Sequence, residues 1–165
     1  MDNAKKVIFK LILSALIISG SLNVVAKNSV MILIGGEVEE TVSLSVLTKG
    51  DSANLNLHTD QIDKTVATIF ESANTEKGYL VKARSENNGV IKNTNGVDGI
   101  PYTLRYGEGN PINLNQEDQL LRDSVITGVY QSGGKDIKIN YKGIPATKLK
   151  AGIYKDIITL TIEGK

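Results

Sequence analysis

The chain has 165 residues, and its 19 Lys and Arg residues against 18 Asp and Glu give a formal net charge of +1. Such a balance excludes the strong electrostatic attraction by which basic proteins bind nucleic acid or anionic membranes. The absence of Cys excludes disulfides and thiolate metal sites, and the length predicts one domain.

The N-terminal segment has the three parts of a secretory signal peptide. Three lysines lie among the first ten residues, an apolar stretch is centred on residues 11–18, and Val24 and Ala26 occupy the positions that a signal peptidase reads. We therefore expect cleavage after Ala26. The alternative is a retained membrane anchor, but polar and glycine residues interrupt the apolar run and a spanning helix needs about 20 apolar residues. Removal of residues 1–26 takes away three Lys and one Asp, so the net charge falls from +1 to −1.

Apolar and polar residues alternate with a period of two along most of the remaining chain, which is typical of strands with one buried face. The clearest alternating segments are 37–47, 54–58, 78–85, 100–107, 136–143 and, from Ile158, the C-terminal stretch. Segments rich in Gly, Asn and Asp separate them and predict turns at 48–53, 85–89, 93–99, 107–111 and 131–136. Many short strands joined by such turns predict an all-β sandwich or barrel.

Two segments are ambiguous. Residues 60–74 fit a helix capped by Asp60, but the β-prone residues favour a strand over about 64–72. In the segment after residue 113 the pattern predicts a loop or short helical turn near 116–121 and then a strand over about 125–130.

A short apolar segment, Val30 to Ile34, precedes the first strand and is followed by Gly35 and Gly36. A glycine pair can bend or pivot the chain, so this segment need not belong to the same sheet as the strand after it. We therefore divide the chain into a signal peptide (1–26), an N-terminal extension (27–36) and one β-domain (37–165).

The sequence offers no catalytic constellation. A Ser–His–Asp hydrolase needs a His that accepts the proton from Ser, but the sole His, His58, has no G-x-S-x-G motif near it. The adjacent carboxylates Glu39-Glu40 and Glu117-Asp118 would point to opposite faces of a strand. We therefore expect no catalytic residues and predict that the protein is not an enzyme.

Metal and cofactor sites are also not expected. A structural zinc site needs several Cys or His ligands. Asn93, Asn95 and Asp98 could supply oxygen ligands to calcium, but no bidentate Glu follows at the required distance. An ordinary hairpin turn is the favoured interpretation of this loop, and a phosphate-binding loop is excluded because residues 107–110 lack the G-K-[ST] ending.

Three stretches of the chain resemble bacterial fimbrial subunits. They are "SVMILIGGEVEETVSLSV", "GYLVKARSENNGVIKNTNGVDGIPYTLRYGEGNPINL" and "LKAGIYKDIITLTIEG". They combine an apolar extension before the first strand, a strand entered through Pro101, and a terminal strand opened by Gly152-x-Tyr154. The resemblance is to the major pilins of the alpha-type colonisation-factor fimbriae and to the related spore coat protein U-like domains.

This resemblance implies an incomplete, immunoglobulin-like (pilin-type) antiparallel β-sandwich whose groove accepts a donor strand from the next subunit. The donor would be residues 28–34, using Val30, Ile32 and Ile34. The acceptor groove would be lined by Ile158, Leu160 and Ile162, with Val42, Leu44 and Val46 opposite.

The resemblance also implies the partners and the location. The partners are copies of the same chain, a periplasmic chaperone, an outer-membrane usher and a host receptor. The protein would contact the membrane only during export, would bind no nucleic acid, and would move from the periplasm to the cell surface. The competing interpretation is a free-standing periplasmic or secreted immunoglobulin-like binding module, which closes its own sandwich and binds a ligand on loops such as 87–99.

Overall fold

Two antiparallel sheets form the fold. The computed structural model describes residues 28–96 and 98–165, and in these residues the chain is all-β with a sandwich-like arrangement, consistent with an immunoglobulin-like fold. The predicted fold class is confirmed. The predicted signal peptide and its cleavage site lie outside the described residues. In the described part of the chain, no helix is long and apolar enough to cross a membrane.

Ten strands occur in the described residues. They are β1 (Thr41–Thr48), β2 (Gln61–Thr75), β3 (Tyr79–Ser85), β4 (Val90–Asn93), β5 (Gly99–Tyr106), β6 (Gln119–Ser124), β7 (Gly128–Gln131), β8 (Lys135–Tyr141), β9 (Tyr154–Lys155) and β10 (Ile158–Gly164). A 3-10 turn occupies Ala146–Lys148 between β8 and β9.

The strand order leaves the first and last strands at sheet edges. The larger sheet has the order β1-β2-β8-β5-β4-β9, and β7 pairs with the part of β2 that extends beyond β8. The smaller sheet has the order β10-β3-β6. The chain divides into residues up to Gly36 and a compact unit of Glu37–Lys165, which contains both sheets.

The core lies between the sheets and follows the alternation in the sequence. On β5 and β8 the inward residues are at most 6% exposed, whereas the residues between them are half-buried or exposed. These inward residues are Tyr102, Leu104, Tyr106, Ile137, Ile139 and Tyr141. The predicted strands at 78–85, 100–107, 136–143 and the C-terminus are therefore confirmed.

The predicted strand at residues 54–58 is wrong. The N–H of Asn54 donates to the oxygen of Asp51 (3.0 Å), and the N–H of His58 donates to the side-chain oxygen of Asn56 (3.1 Å). These local hydrogen bonds form turns instead of a strand ladder. Leu55 and Leu57 still pack against the core, which explains their apolar character.

The other differences concern strand boundaries. The strand expected over about 125–130 is confirmed only from Gly128, where β7 begins, and the loop or short helical turn predicted near 116–121 is wrong from Gln119 on, where β6 begins. The inward residues of β6 include the polar residues Arg122 and Ser124, so this strand lacks the alternation of apolar and polar residues that would have predicted it. The helical alternative capped by Asp60 is also wrong, since Asp60 instead accepts a hydrogen bond from the N–H of Gly143 (2.8 Å). The short strands β4 and β9 were not predicted.

Candidate functional site

The first and last strands of the domain, β1 and β10, form an open seam along one side of the sandwich. Within the described residues each pairs with one neighbour only, β1 with β2 and β10 with β3. The two strands lie near each other without pairing. Edge strands present unpaired N–H and C=O groups, so the seam offers hydrogen bonds to a further strand.

On β1, the inward residues are more exposed than their partners one strand further in. The register pairs Val42, Leu44 and Val46 with Ala73, Glu71 and Ile69. The three β2 residues are at most 4% exposed, whereas Val46 is 53% exposed and the other two β1 residues are half-buried. The inward side chains are therefore shielded from solvent on β2 but remain partly exposed on the edge strand β1.

In the smaller sheet, too, the inward side chains of the edge strand are more exposed than those of its neighbour. The register pairs Ile158, Leu160 and Ile162 of β10 with Ser85, Ala83 and Val81 of β3. The three β3 residues are 0% exposed, but the three β10 residues are only half-buried. The six predicted acceptor residues thus line the two sides of the seam, where core-type side chains remain accessible to solvent.

A carboxylate fixes the beginning of β10. Asp156 accepts hydrogen bonds from the hydroxyl of Ser85 (2.6 Å), the hydroxyl of Tyr102 (2.7 Å) and the N–H of Asn87 (3.0 Å). Burial, and then the hydrogen bond to Asp156, raises the pKa of the Tyr102 phenol. This cluster ties β10 to the end of β3 and to β5, and it positions one end of the seam.

A buried carboxylate lies behind the β1 side of the seam. Glu71 is 1% exposed and accepts hydrogen bonds from the hydroxyls of Tyr79 (2.9 Å) and Tyr106 (2.5 Å). It also pairs with Arg122, whose guanidinium lies 5.7 Å from the ring centre of Tyr79 and 5.9 Å from that of Tyr130. The cluster joins five strands of both sheets, so it holds β2 rigidly behind β1.

Two tyrosines of this cluster, Tyr79 and Tyr106, have raised pKa values. Burial, together with the hydrogen bond to Glu71, raises the pKa of Tyr79 to about 12 and also raises that of Tyr106. The sequence interpretation missed this cluster. The available signal was that Glu71 falls on the same period-two face as Ile69 and Ala73, where an acidic residue must find partners.

The described part of the N-terminal extension, residues 28–36, contains neither helix nor strand. Its apolar side chains are almost fully accessible, with Val30, Ile32 and Ile34 at 86%, 80% and 90% exposure. Met31 and Leu33 are exposed to 98% and 97%. Five consecutive exposed apolar residues are typical of an interaction segment.

The other residues considered from the sequence occupy ordinary structural positions. His58 is exposed, and its Nδ1 lies 3.1 Å from the carbonyl oxygen of Ile144. In the 93–98 loop the N–H of Asn93 donates to the oxygen of Asp98 (2.9 Å), and its side-chain oxygen accepts from the N–H of Asn95 (2.9 Å). These bonds are those of a hairpin turn between β4 and β5.

Across residues 28–96 and 98–165, no group of three or more His, Asp or Glu side chains is arranged to hold a metal ion. Two surface hollows, of about 480 and 640 Å³, are lined by other parts of the chain, and neither includes a residue of the 87–99 loop. Of the adjacent glutamates Glu39 and Glu40, Glu40 accepts a hydrogen bond from the N–H of Glu76 (2.5 Å).

No protein-family model matches the chain, and a comparison with curated proteins finds no match.

Proposed function

We propose that the chain is a structural subunit of a bacterial surface fimbria, which polymerises when the N-terminal extension of one copy inserts into the open seam of another. The observation that carries this proposal is the seam itself. Apolar rows on β1 and β10 remain accessible while their neighbours one strand inward are buried. An added strand would cover both rows and pair with both edges.

The extension has the chemistry and the spacing that such a strand needs. Val30, Ile32 and Ile34 alternate with a period of two, as do the three inward residues of β10. Both rows rise about 3.3 Å per residue in a strand, so the side chains keep in step. Burial of three aliphatic side chains contributes about 1.5–3 kcal/mol each, and backbone hydrogen bonds along the seam add to this.

For a donor strand that runs antiparallel to β10, the connection between the extension and β1 favours insertion into a different copy. A three-residue turn joins β2 to β3, so these strands run in opposite directions, and β1 and β10 therefore also run in opposite directions. A strand that is antiparallel to β10 must then be parallel to β1. A parallel neighbour needs a connection of about a dozen residues or more, whereas only residues 35–40 separate Ile34 from β1.

Export and assembly partners follow from the same mechanism. An unpaired apolar edge is an aggregation hazard, so a periplasmic chaperone would cover the seam until an outer-membrane usher adds the subunit to the fibre. The predicted signal peptide would direct the chain to this compartment, and the assembled fibre would support adhesion to a host receptor.

The test compares the mature chain with a variant that lacks residues 27–34, by size-exclusion chromatography with light scattering. We expect polymers from the intact chain and only monomer or unstable species from the truncated one. Addition of a peptide of residues 28–35 should stabilise the truncated variant. A stable monomer in both cases would overturn the proposal and support the self-contained secreted binding module.

A further inference from the structure

We propose that successive copies also meet through a charge-paired contact between opposite ends of the domain. The acidic end comprises Glu37, Glu39, Glu40 and Glu76, and the basic rim comprises Lys49, Arg84 and Lys155. This inference rests on the proposed function, because strand donation is what brings the two ends together.

The acidic end is where the extension joins the domain. The hydrogen bond from Glu76 to the Glu40 carboxylate places the start of β1 beside the turn between β2 and β3. Glu37 and Glu39 are exposed, and among the described residues neither has a basic group within 4.0 Å. Val129 lies at the same end, since it registers with Asn74, the partner of the first residue of β1. It is 86% exposed.

The basic rim lies at the other end of the seam. Lys49 is the first residue after β1, Lys155 lies three residues before β10, and Arg84 registers with Thr159 of β10. Within the described ranges, none of the three has a carboxylate within 4.0 Å. Apolar side chains flank this rim, because Leu47 is 56% exposed and Ile157 is 52% exposed.

Negative charges lie nearby but do not cancel the rim. Asp156 accepts hydrogen bonds from neutral groups of Ser85, Tyr102 and Asn87, which do not offset its charge, so its carboxylate counts against one of the three cations. Asp51 pairs with Lys64. Glu86 is the exposed acidic residue that follows β3, and it leaves an excess of positive charge over the rim.

The geometry of an open polymer brings the two ends together. Because β1 and β10 run in opposite directions, the end of β1 and the start of β10 share one end of the seam, which is the basic rim. Each copy in an open chain receives at one end and donates from the other. A donor that is antiparallel to β10 therefore leaves the seam at Ile158.

The acidic segment must then pass over the rim. Six residues, 35–40, connect Ile34 of the donor to its own β1, and they span at most about 25 Å. Glu37, Glu39 and Glu40 lie on this connection. Their carboxylates would pass over the unpaired cations of the rim, and at physiological salt the attraction between such charges decays over about 8–10 Å.

The test measures the assembly rate of the full mature chain by light scattering. The double reversal Lys49→Glu and Lys155→Glu should slow assembly about tenfold at low salt, because electrostatic attraction mainly raises association rates. The difference should shrink at high salt. Adding Glu37→Lys and Glu39→Lys to the same chain should restore the rate. Lys77→Glu changes the charge by −2 at the acidic end, half of the −4 of the double reversal, and serves as the control, for which we expect no slowing.

A labelled peptide of residues 28–35 separates this contact from strand donation, since the peptide fills the seam but lacks the acidic segment. Its capture by the double-reversal chain should equal its capture by the unmodified chain. If the peptide is captured and polymers form, but reversal leaves the rate unchanged or the compensating lysines fail to restore it, the contact between ends is refuted. If no chain captures peptide or polymerises, strand donation itself fails.

Discussion

Replacing Ile32 by Ala tests which face of the extension docks into the seam. In the free chain Ile32 is 80% exposed and Leu33 is 97% exposed, so the two side chains start from similar accessibility. In the proposed joint Ile32 is the central buried side chain and Leu33 points away. Removal of a buried Ile side chain to Ala costs about 2–5 kcal/mol. Leu33→Ala removes a similar apolar side chain from a solvent-facing position and should change the free energy of the joint by no more than about 0.5 kcal/mol.

The assay is the rate at which purified polymers release subunits in moderate guanidinium, followed by size-exclusion chromatography. Since 1.4 kcal/mol is tenfold, Ile32→Ala should speed release about 30- to 4,000-fold relative to the unmodified chain. Leu33→Ala is the control and should change it no more than about twofold. A large effect of Leu33→Ala with none for Ile32→Ala would mean that the docked face is the opposite one, because a slip of one residue inverts a strand. No effect of either change would refute strand donation by this segment.

Three further predictions concern the domain itself. Glu71→Ala leaves the half-buried Arg122 guanidinium without its counter-charge and the hydroxyls of Tyr79 and Tyr106 without their acceptor. It should lower the free energy of unfolding by about 3–5 kcal/mol in guanidinium titrations; a loss below about 1 kcal/mol would contradict the role given to this cluster. The raised pKa of Tyr79, about 12 against about 10 in an unfolded chain, gives a stability contribution that is complete below pH 10. It is lost as the pH rises towards 12, because only the unfolded phenol ionises in that window. Denaturation measured between pH 8 and 12 should show this loss, and Tyr79→Phe should make it smaller; an equal pH dependence in both proteins would argue against the assignment. Gly78 has φ +90° and a Cβ there would lie 2.2 Å from the oxygen of Ser124, so Gly78→Ala should destabilise by at least about 1–3 kcal/mol. Gly164→Ala, which would meet nothing within 4 Å, is the control, and equal melting temperatures for the two variants would disprove the clash.

The strands that could be predicted from the sequence are those with one dry and one wet face. Residues 136–141 alternate strictly, and β8 indeed buries Ile137, Ile139 and Tyr141. The same regularity made the last strand predictable. Alternation alone was misleading at Leu55 and Leu57, because two leucines can pack on the core from a turn.

The inward face of β6 could not be predicted, because its partners come from distant parts of the chain. Arg122 faces the interior only because Glu71 lies there, 51 positions earlier in the sequence. The residues next to Glu71 and Arg122 in the sequence do not predict that the two side chains form an ion pair. Such a pair becomes visible only when the sheets are assembled, and for this reason the polar cluster behind the seam was absent from the predicted site.

The partial exposure of the seam residues could not be predicted from the sequence for a different reason. From the sequence, Leu160 and Ile162 are indistinguishable from the fully buried residues of β5, since both sets are aliphatic or aromatic and alternate with polar neighbours. What separates them is the number of paired strands on either side. β5 pairs with both β4 and β8, whereas β10 pairs only with β3 among the described strands. The sequence of an incomplete sandwich would therefore look like that of a complete one, and the proposal of a missing strand rests on core-type residues that stay accessible at an unpaired edge. That inference leads to the extension, because in the described part of the chain it carries the longest run of exposed apolar residues.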